Sequence, residues 1–333
     1  MSFLTVQALR KHFSVKDSLR GGHRVLKAVD GIDFSLEEDT VFGLVGESGC
    51  GKSTVARLVL KLISPTSGNI TFKGRDLSEL QGDSLREFRK TVQIIFQDPF
   101  ASLNPRKTVF QTVSEPLRIH HLAGRRDLRR LVTELLRKVG LDRDVLDRYP
   151  HEFSGGQRQR ICIARALAVS PRLLVADEPL SALDVSIQAQ ILNLLKEIKE
   201  RSRLSFLFIS HDLNVVKYFS DEVGVMYLGK IVERSKTAGL FEEPLHPYTV
   251  ILLASAPRVE TEGRDAEKLT ARHEREIITG EVPSPVEIPP GCPFHPRCPK
   301  RFDPCDTVVP RLEQPTSRAY SGRLVSCHLW NPY

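Results

Sequence analysis

Val41-Phe-Gly-Leu-Val45-Gly46-Glu47-Ser48-Gly49-Cys50-Gly51-Lys52-Ser53-Thr54 is the stretch that decides the fold. Its opening VFGLV reads as a buried strand, and Val55 to Leu62 carry a helical pattern. Between them, Gly46 to Thr54 fits G-x-x-x-x-G-K-[ST], with the strand before and the helix after that this motif requires. The glycines let the backbone curl so that successive N–H groups point at phosphate oxygens, and the helix N-terminus adds its positive dipole end. Lys52 is placed to neutralise β- and γ-phosphates, and Ser53 to ligate Mg²⁺. A plain glycine-rich turn at a strand–helix junction would not account for all nine residues.

Further along, Leu173-Leu-Val-Ala176 reads as a second buried strand that delivers Asp177 and Glu178 at its C-terminal end, where open α/β sheets bind ligands. Asp177 is the expected acidic partner of Mg²⁺. Glu178 is placed to orient, or take a proton from, the water that attacks the γ-phosphate. Between the two elements lies Phe153-Ser154-Gly155-Gly156-Gln157-Arg158-Gln159-Arg160, leading into a helical pattern. Ser154 and Gln157 have the spacing of an N-terminal capping box, which explains the serine and glutamine but not the paired glycines. Two glycines at a helix start also permit close approach of a polyphosphate. A single chain has no second nucleotide for this site to hold, so a partner chain is implied.

With these residues in place, the chain resembles the ATP-binding cassette (ABC) ATPases over residues 4–257. Residues 153–157 resemble the family's signature, with Phe153 where Leu is usual. Gln97, in Ile94-Ile-Phe-Gln97-Asp98-Pro99, matches the glutamine loop, which implies sensing of the γ-phosphate, a place near Mg²⁺ and contact with membrane subunits. Ser181-Ala-Leu-Asp184 matches the loop that communicates between paired cassettes, and His211 matches the switch histidine that contacts the γ-phosphate. Phe13 is the nearest match to the aromatic residue on which the family stacks adenine, although a core or edge-strand Phe reads almost as well. The resemblance implies a P-loop ABC ATPase fold of the α/β class. Such a fold has a mostly parallel core sheet, an antiparallel N-terminal sheet, a helical subdomain at about 98–168, and here a small Cys-rich C-terminal module.

Within the family, the resemblance is to the ATPase subunits of dipeptide and oligopeptide importers. It is carried by Gln97-Asp-Pro-Phe-Ala-Ser-Leu-Asn-Pro-Arg106, Arg148-Tyr-Pro-His-Glu-Phe153, His246-Pro-Tyr-Thr249, and Pro283-Ser-Pro285 followed by Pro290-Gly-Cys292. It implies ATP and Mg²⁺ as ligands and a second, homologous ATPase subunit as partner. It also implies two membrane permeases fed by an extracytoplasmic solute-binding protein, and a peripheral position on the cytoplasmic face of the membrane. Related importers carry nickel chelates or sugars on nearly the same ATPase, so the solute stays open at this point.

Composition agrees with a folded ATPase and excludes little else. Hydrophobic residues at 41% and charged residues at 27% rule out collagen, rod-like and disordered classes. No apolar run approaches the roughly 18 residues needed to cross a bilayer. Residues 1–15 lack the basic-then-apolar order of a secretory signal, which predicts a cytosolic address. A net charge of +7 suits phosphate ligands, nucleic acid or anionic lipid equally and decides nothing. A soluble nucleic-acid-related ABC ATPase would carry two cassettes or a long coiled-coil insertion, so no nucleic-acid partner is expected. A P-loop kinase or GTPase would lack residues 154–157.

Strands alternate with helical patterns up to about Pro257, among them Phe206 to Ile209 and the helical series Leu128 to Val139 and Ile187 to Ile198. A charged stretch at 258–278 and prolines at 283, 285, 289 and 290 then read as a linker, giving a division into 1–257 and 258–333. Four of the six cysteines follow, spaced Cys292-x₅-Cys298-x₆-Cys305-x₂₁-Cys327. In a reducing cytosol clustered thiols suggest metal before disulfides. The tight C-x₂₋₄-C pairs of structural zinc are absent, and iron–sulfur ligands vary more widely in spacing. The importer resemblance implies a [4Fe–4S] cluster on these four residues, with zinc or plain thiols as the alternatives.

Overall fold

The computed structural model describes residues 2–16, 22–255 and 281–331. The charged linker at 258–278 and the expected boundary near Pro257 lie outside the described residues.

Strands β1 (Leu4–Lys16) and β2 (His23–Leu36) form a long antiparallel ribbon. β3 (Val41–Val45) is followed by helix α1 (Lys52–Val59), then by β4 (Ser67–Phe72), β5 (Arg75–Asp76), α2 (Gly82–Thr91) and β6 (Val92–Ile95). The helical stretch holds α3 (Pro99–Ser102), α4 (Val109–Ile119), α5 (Arg125–Lys138) and α6 (Gly155–Leu167). β7 (Leu173–Asp177), α7 (Val185–Ser202), β8 (Ser205–Ser210), α8 (Leu213–Phe219), β9 (Glu222–Tyr227) and β10 (Lys230–Lys236) follow. Next come α9 (Thr237–Glu242), α10 (Pro247–Ala254) and finally β11 (Leu324–Val325).

The antiparallel sheet has the order β2-β1-β4-β5, and the core sheet the order β11-β10-β9-β3-β8-β7-β6. Within the core sheet β9, β3, β8, β7 and β6 run parallel. β10 and β11 close one edge antiparallel. The parallel strands are continuous apolar runs because both faces are covered. On β8, Phe206 and Phe208 enter the core under the helices. Leu207 and Ile209 face the other way, into the core shared with α1 and the antiparallel sheet. In that second core Phe34 stacks on Phe42 with ring centroids 4.8 Å apart.

The predicted helical stripes are the buried faces of α5 and α7: Leu128, Val132, Leu135 and Leu136 on one, Ile191, Leu194, Leu195 and Ile198 on the other. α1 differs from expectation. It starts at Lys52, directly on Gly51, and stops at Val59, because Lys61 turns into the left-handed region (φ 51°).

The Cys-rich segment is not a free-standing unit. β11 extends the core sheet through Glu233↔Val325 and Arg234↔Leu324. Cys292, Phe294 and Cys305 belong to the same continuous core as the helices and strands of the cassette. Two further ties reach the N-terminal sheet: the Lys27 amide donates to the Pro285 carbonyl at 3.3 Å, and Arg24 pairs with Glu287 at 2.5 Å. The sequence suggested a separate module because prolines and charges interrupt the pattern, and such punctuation cannot register a strand added from residue 324. No helix among the described residues is long and apolar enough to cross a membrane.

Candidate functional site: a phosphate loop at the carboxyl edge of the core sheet

Four adjacent parallel strands, β3, β8, β7 and β6, end side by side, and each delivers part of one site. β3 runs into the phosphate loop, β8 into His211, β7 into Asp177 and Glu178, and β6 into Gln97. A sheet's C-terminal edge is where crossover connections leave room for a ligand.

The loop's shape depends on two of its glycines. Gly46 (φ 155°) and Gly51 (φ 111°) both adopt backbone angles that side chains resist. A Cβ on Gly46 would lie 2.1 Å from the Met226 carbonyl oxygen, and one on Gly51 only 2.0 Å from that of Ala28. The curl points Lys52 back over the loop. Its ammonium, 4% exposed, donates to the carbonyls of Gly46 (2.8 Å) and Glu47 (3.0 Å) and lies 3.9 Å from Glu178 Oε1. Ser48 and Gly49 at the loop's tip are exposed, while Cys50 is buried beneath it, its thiol raised by burial. Ser53 and Thr54 form the first turn of α1.

Ser53 Oγ donates to Asp177 Oδ1 at 2.9 Å, pairing a hydroxyl and a carboxylate at the base of the loop. Burial pushes the Asp177 carboxyl above its ordinary range, partly opposed by that hydrogen bond. The next residue is strained: Glu178 has φ 47°, and its amide donates to the Ile209 carbonyl on β8. This turn sends the Glu178 side chain toward neighbouring strand ends. Oε2 accepts from Gln97 Nε2 at 3.2 Å and from His211 Nδ1 at 3.1 Å. His211 is 58% exposed while Glu178 is 14% exposed, so the cluster opens to solvent through the imidazole.

Lys52, Ser53, Asp177, Glu178, Gln97 and His211 are thus brought together into one polar cluster. A buried ammonium on a glycine-rich turn fits a polyphosphate. A paired hydroxyl and carboxylate, with an amide nearby, are the hard oxygen donors that suit Mg²⁺. A carboxylate held between an amide and an imidazole fits the work of orienting a water.

Other predicted residues stand apart from this cluster. Ser154 caps α6: its Oγ accepts from the Gln157 amide at 3.3 Å, and the Gln157 side chain accepts from the Ser154 amide at 3.1 Å. Gly155 lies close to Leu183, just before α7, and a Cβ on Gly156 would meet Ile187 on α7 at 2.5 Å. Among the described residues no hydrogen bond or ion pair joins 154–157 to the phosphate loop. Asp184 is exposed and caps α7 without a side-chain bond. Phe13, on β1, is 36% exposed, with Lys11 Nζ 5.0 Å from its ring centre, and among the described residues no hydrogen bond or ring contact ties it to the loop.

The four C-terminal cysteines line one pocket together with His246 and Phe294. Burial pushes the Cys292 thiol up to about 11 and that of Cys327 to about 12, with the neighbouring cysteines adding to the shift. Cysteine sulfur is the donor type that an iron–sulfur cluster takes, and these four line one pocket. Among the described residues no group of three or more His, Cys, Asp or Glu side chains is gathered closely enough to hold a metal ion, which supports neither the iron–sulfur nor the zinc expectation.

Sequence reasoning missed Tyr248 and Arg297. The Glu47 amide donates to the Tyr248 hydroxyl at 3.0 Å, and the Glu47 carboxylate is paired with Arg297 at 2.9 Å. No spacing rule links residues 47 and 297. No local signal marked Arg297, which shares its cysteine-bearing stretch with His295, Lys300 and Arg301.

Comparison with known proteins agrees with this geometry. The family model described as ABC transporter matches residues 29–181, and that described as oligopeptide/dipeptide transporter, C-terminal region, matches 232–305. The dimeric post-hydrolysis structure of the ATP-binding cassette MJ0796 bound to ADP and Pi has a TM-score of 0.63 at 26% identity, covering 70% of this chain and 98% of that one. cbiO1 from Clostridium perfringens, part of the ABC transporter complex cbiONQ, gives 0.62 at 27% identity, covering 73% and 91%. The fold is therefore that of an ABC ATPase.

Among full-length relatives, the putative oligopeptide transport ATP-binding protein YkfD of Bacillus subtilis is 49% identical over 331 residues, 99% of this chain and 96% of that protein. The dipeptide transport ATP-binding protein DppF of Escherichia coli is 45% identical over 319 residues, 96% and 92% of the two chains. The chain belongs to the ABC transporter family, in the branch of oligopeptide and dipeptide transport ATP-binding proteins, and is an ATP-hydrolysing transporter subunit.

Proposed function

We propose that this chain powers uptake of dipeptides or oligopeptides, working at the cytoplasmic face of the membrane beneath two permeases that an extracytoplasmic binding protein supplies. The observation that carries the reading is the near-complete overlap with peptide-transport relatives, extending through the C-terminal region at 232–305.

In this reading residues 46–54 wrap the triphosphate, and Lys52 leaves the carbonyls of Gly46 and Glu47 for the β- and γ-phosphates. Ser53, Asp177 and Gln97 would hold Mg²⁺, which when bound neutralises charge on the phosphate oxygens. Glu178 orients the attacking water and His211 contacts the γ-phosphate. Phe13 stacks on the adenine.

Ser154, Gly155, Gly156 and Gln157 complete the site of a second ATPase subunit, a homologous partner, and Asp184 passes the state of one site to the other. That no hydrogen bond or ion pair among the described residues joins them to this chain's own phosphate loop supports that division. ATP then closes the pair and hydrolysis reopens it, a ligand-driven hinge closure. Cys292, Cys298, Cys305 and Cys327 would hold a [4Fe–4S] cluster, which supplies a rigid covalent cross-link among their backbones; their shared pocket supports this.

The test uses the complete transporter in vesicles with a labelled dipeptide. Glu178→Gln should lower ATP hydrolysis by about 10²–10⁴, the range expected for loss of a general base. It should retain nucleotide binding and stop uptake. A variant that hydrolyses ATP at the wild-type rate removes Glu178 from the chemistry, and a wild-type complex that moves no peptide removes the solute assignment.

A further inference from the structure

Glu47, the second residue of the phosphate loop, is gripped from outside the loop at two points. Its amide donates to Tyr248 Oη at 3.0 Å. Its carboxylate accepts two parallel bonds from Arg297, Nη1 to Oε2 at 2.9 Å and Nη2 to Oε1 at 3.0 Å. Such a fork fixes orientation as well as charge. The Arg297 side chain is 5% exposed and that of Glu47 23%, so water screens the pair only in part. Nη1 also donates to Tyr227 Oη at 3.3 Å.

Both halves of the grip adjoin the cysteine pocket in the chain without lining it. Arg297 immediately precedes Cys298, and Tyr248 lies two residues after His246, which lines that pocket. Phe294 binds the two halves into one aromatic cluster, its ring centre 5.4 Å from those of Tyr227 and Tyr248 and 5.7 Å from that of His246. On the far side of Glu47, its carbonyl accepts from Lys52 Nζ. Glu47 therefore stands between the arginine of the cysteine loop and the lysine of the phosphate site. Released from Arg297, its carboxylate would be a mobile negative charge beside a triphosphate.

We infer that Arg297 and Tyr248 are positioning residues for the phosphate loop, and that through them the integrity of the cysteine pocket sets the affinity for ATP. The inference rests on residues 46–54 being the nucleotide site. It assigns the cysteine segment a role in nucleotide binding and leaves the hydrolytic cluster of Glu178, Gln97 and His211 untouched.

The experiment titrates the full-length chain with a fluorescent ATP analogue in Mg²⁺ and measures KM and kcat for ATP. Wild-type protein must bind first; if it does not, the nucleotide-site reading fails before any variant is compared. Arg297→Met should weaken binding about tenfold, raising KM with kcat within about twofold. Glu47→Gln in the Arg297→Met background should recover part of that loss, because no unpaired carboxylate then remains. Cys298→Ser should weaken binding in the wild-type background and add nothing to Arg297→Met. Wild-type affinity in a folded Arg297→Met protein overturns the grip. If Arg297→Met does not fold, Tyr248→Phe decides, since it removes the hydroxyl that accepts from the Glu47 amide: unchanged affinity there overturns the grip equally. Unchanged affinity in Cys298→Ser overturns the link to the pocket.

Discussion

Asp177 and Glu178 are neighbours in sequence, yet the backbone gives them different tasks. Asp177 is the last residue of β7, 7% exposed, and its burial is offset in part by the Ser53 hydroxyl and by the charges of Arg57 and Lys52. Its raised carboxyl range means that the folded chain holds a proton there at pH values where the unfolded chain has lost it. The associated stability is present at low pH and is lost as pH rises through the folded-state value. Asp177→Asn keeps an acceptor for Ser53 and removes the buried charge. It should therefore raise stability at neutral pH by on the order of 1 kcal/mol, with the gain shrinking as pH falls toward the carboxylate range, while ATP hydrolysis collapses. Thermal unfolding measured across pH, beside ATPase activity, checks both halves. Glu178 shows the other cost of a functional site: a left-handed backbone at a non-glycine residue aims its carboxylate at Gln97 and His211.

At the level of elements, α6 gives one serine two jobs. In the chain alone Ser154 Oγ caps the helix through the Gln157 amide, which satisfies one of the four orphan donors of its first turn. In the paired ATPases proposed above, the same turn faces a triphosphate. Ser154→Asp separates the jobs, since aspartate caps as well as serine but brings a negative charge. Stability should stay within about 0.5 kcal/mol of wild type. Like-charge contact with the phosphates costs several kcal/mol, so ATPase activity of the assembled transporter should fall by ~10². Loss of helix stability equal to that of Ser154→Ala would contradict the capping argument. The capping box was visible from the i, i+3 spacing of Ser154 and Gln157. The crowding of Gly156 against Ile187 on α7 was not, because a contact between helices leaves no local pattern.

Across the whole molecule, the C-terminal segment is joined to the cassette by buried charge as well as by β11. Glu233 is fully buried; its carboxylate accepts from the amides of Leu245 and His246 and from Arg323 Nη2 at 3.1 Å. Trp330, the sole tryptophan, donates its indole N–H to the Leu245 carbonyl at 2.7 Å. Two independent domains would unfold separately. Here a shared sheet and core predict one transition, so Trp330 fluorescence and far-ultraviolet circular dichroism should give the same denaturation midpoint. An earlier fluorescence midpoint would show the tail detaching from a folded cassette.

The sequence by itself determined the phosphate loop, the order of the surrounding motifs and the buried faces of β3, β7, β8, α5 and α7. Each of these is written in residues close enough in the chain to share one strand, turn or helix. The parallel core sheet followed from the alternation of those elements. Only the tertiary structure decided that Glu178, Gln97 and His211 meet, because that depends on strand order. It also decided that the cysteine segment is built into the core and that Arg297 reaches Glu47 across the chain. Ion pairs and sheet edges between distant residues are fixed by where the chain returns in space, and periodicity along the chain carries no record of that return.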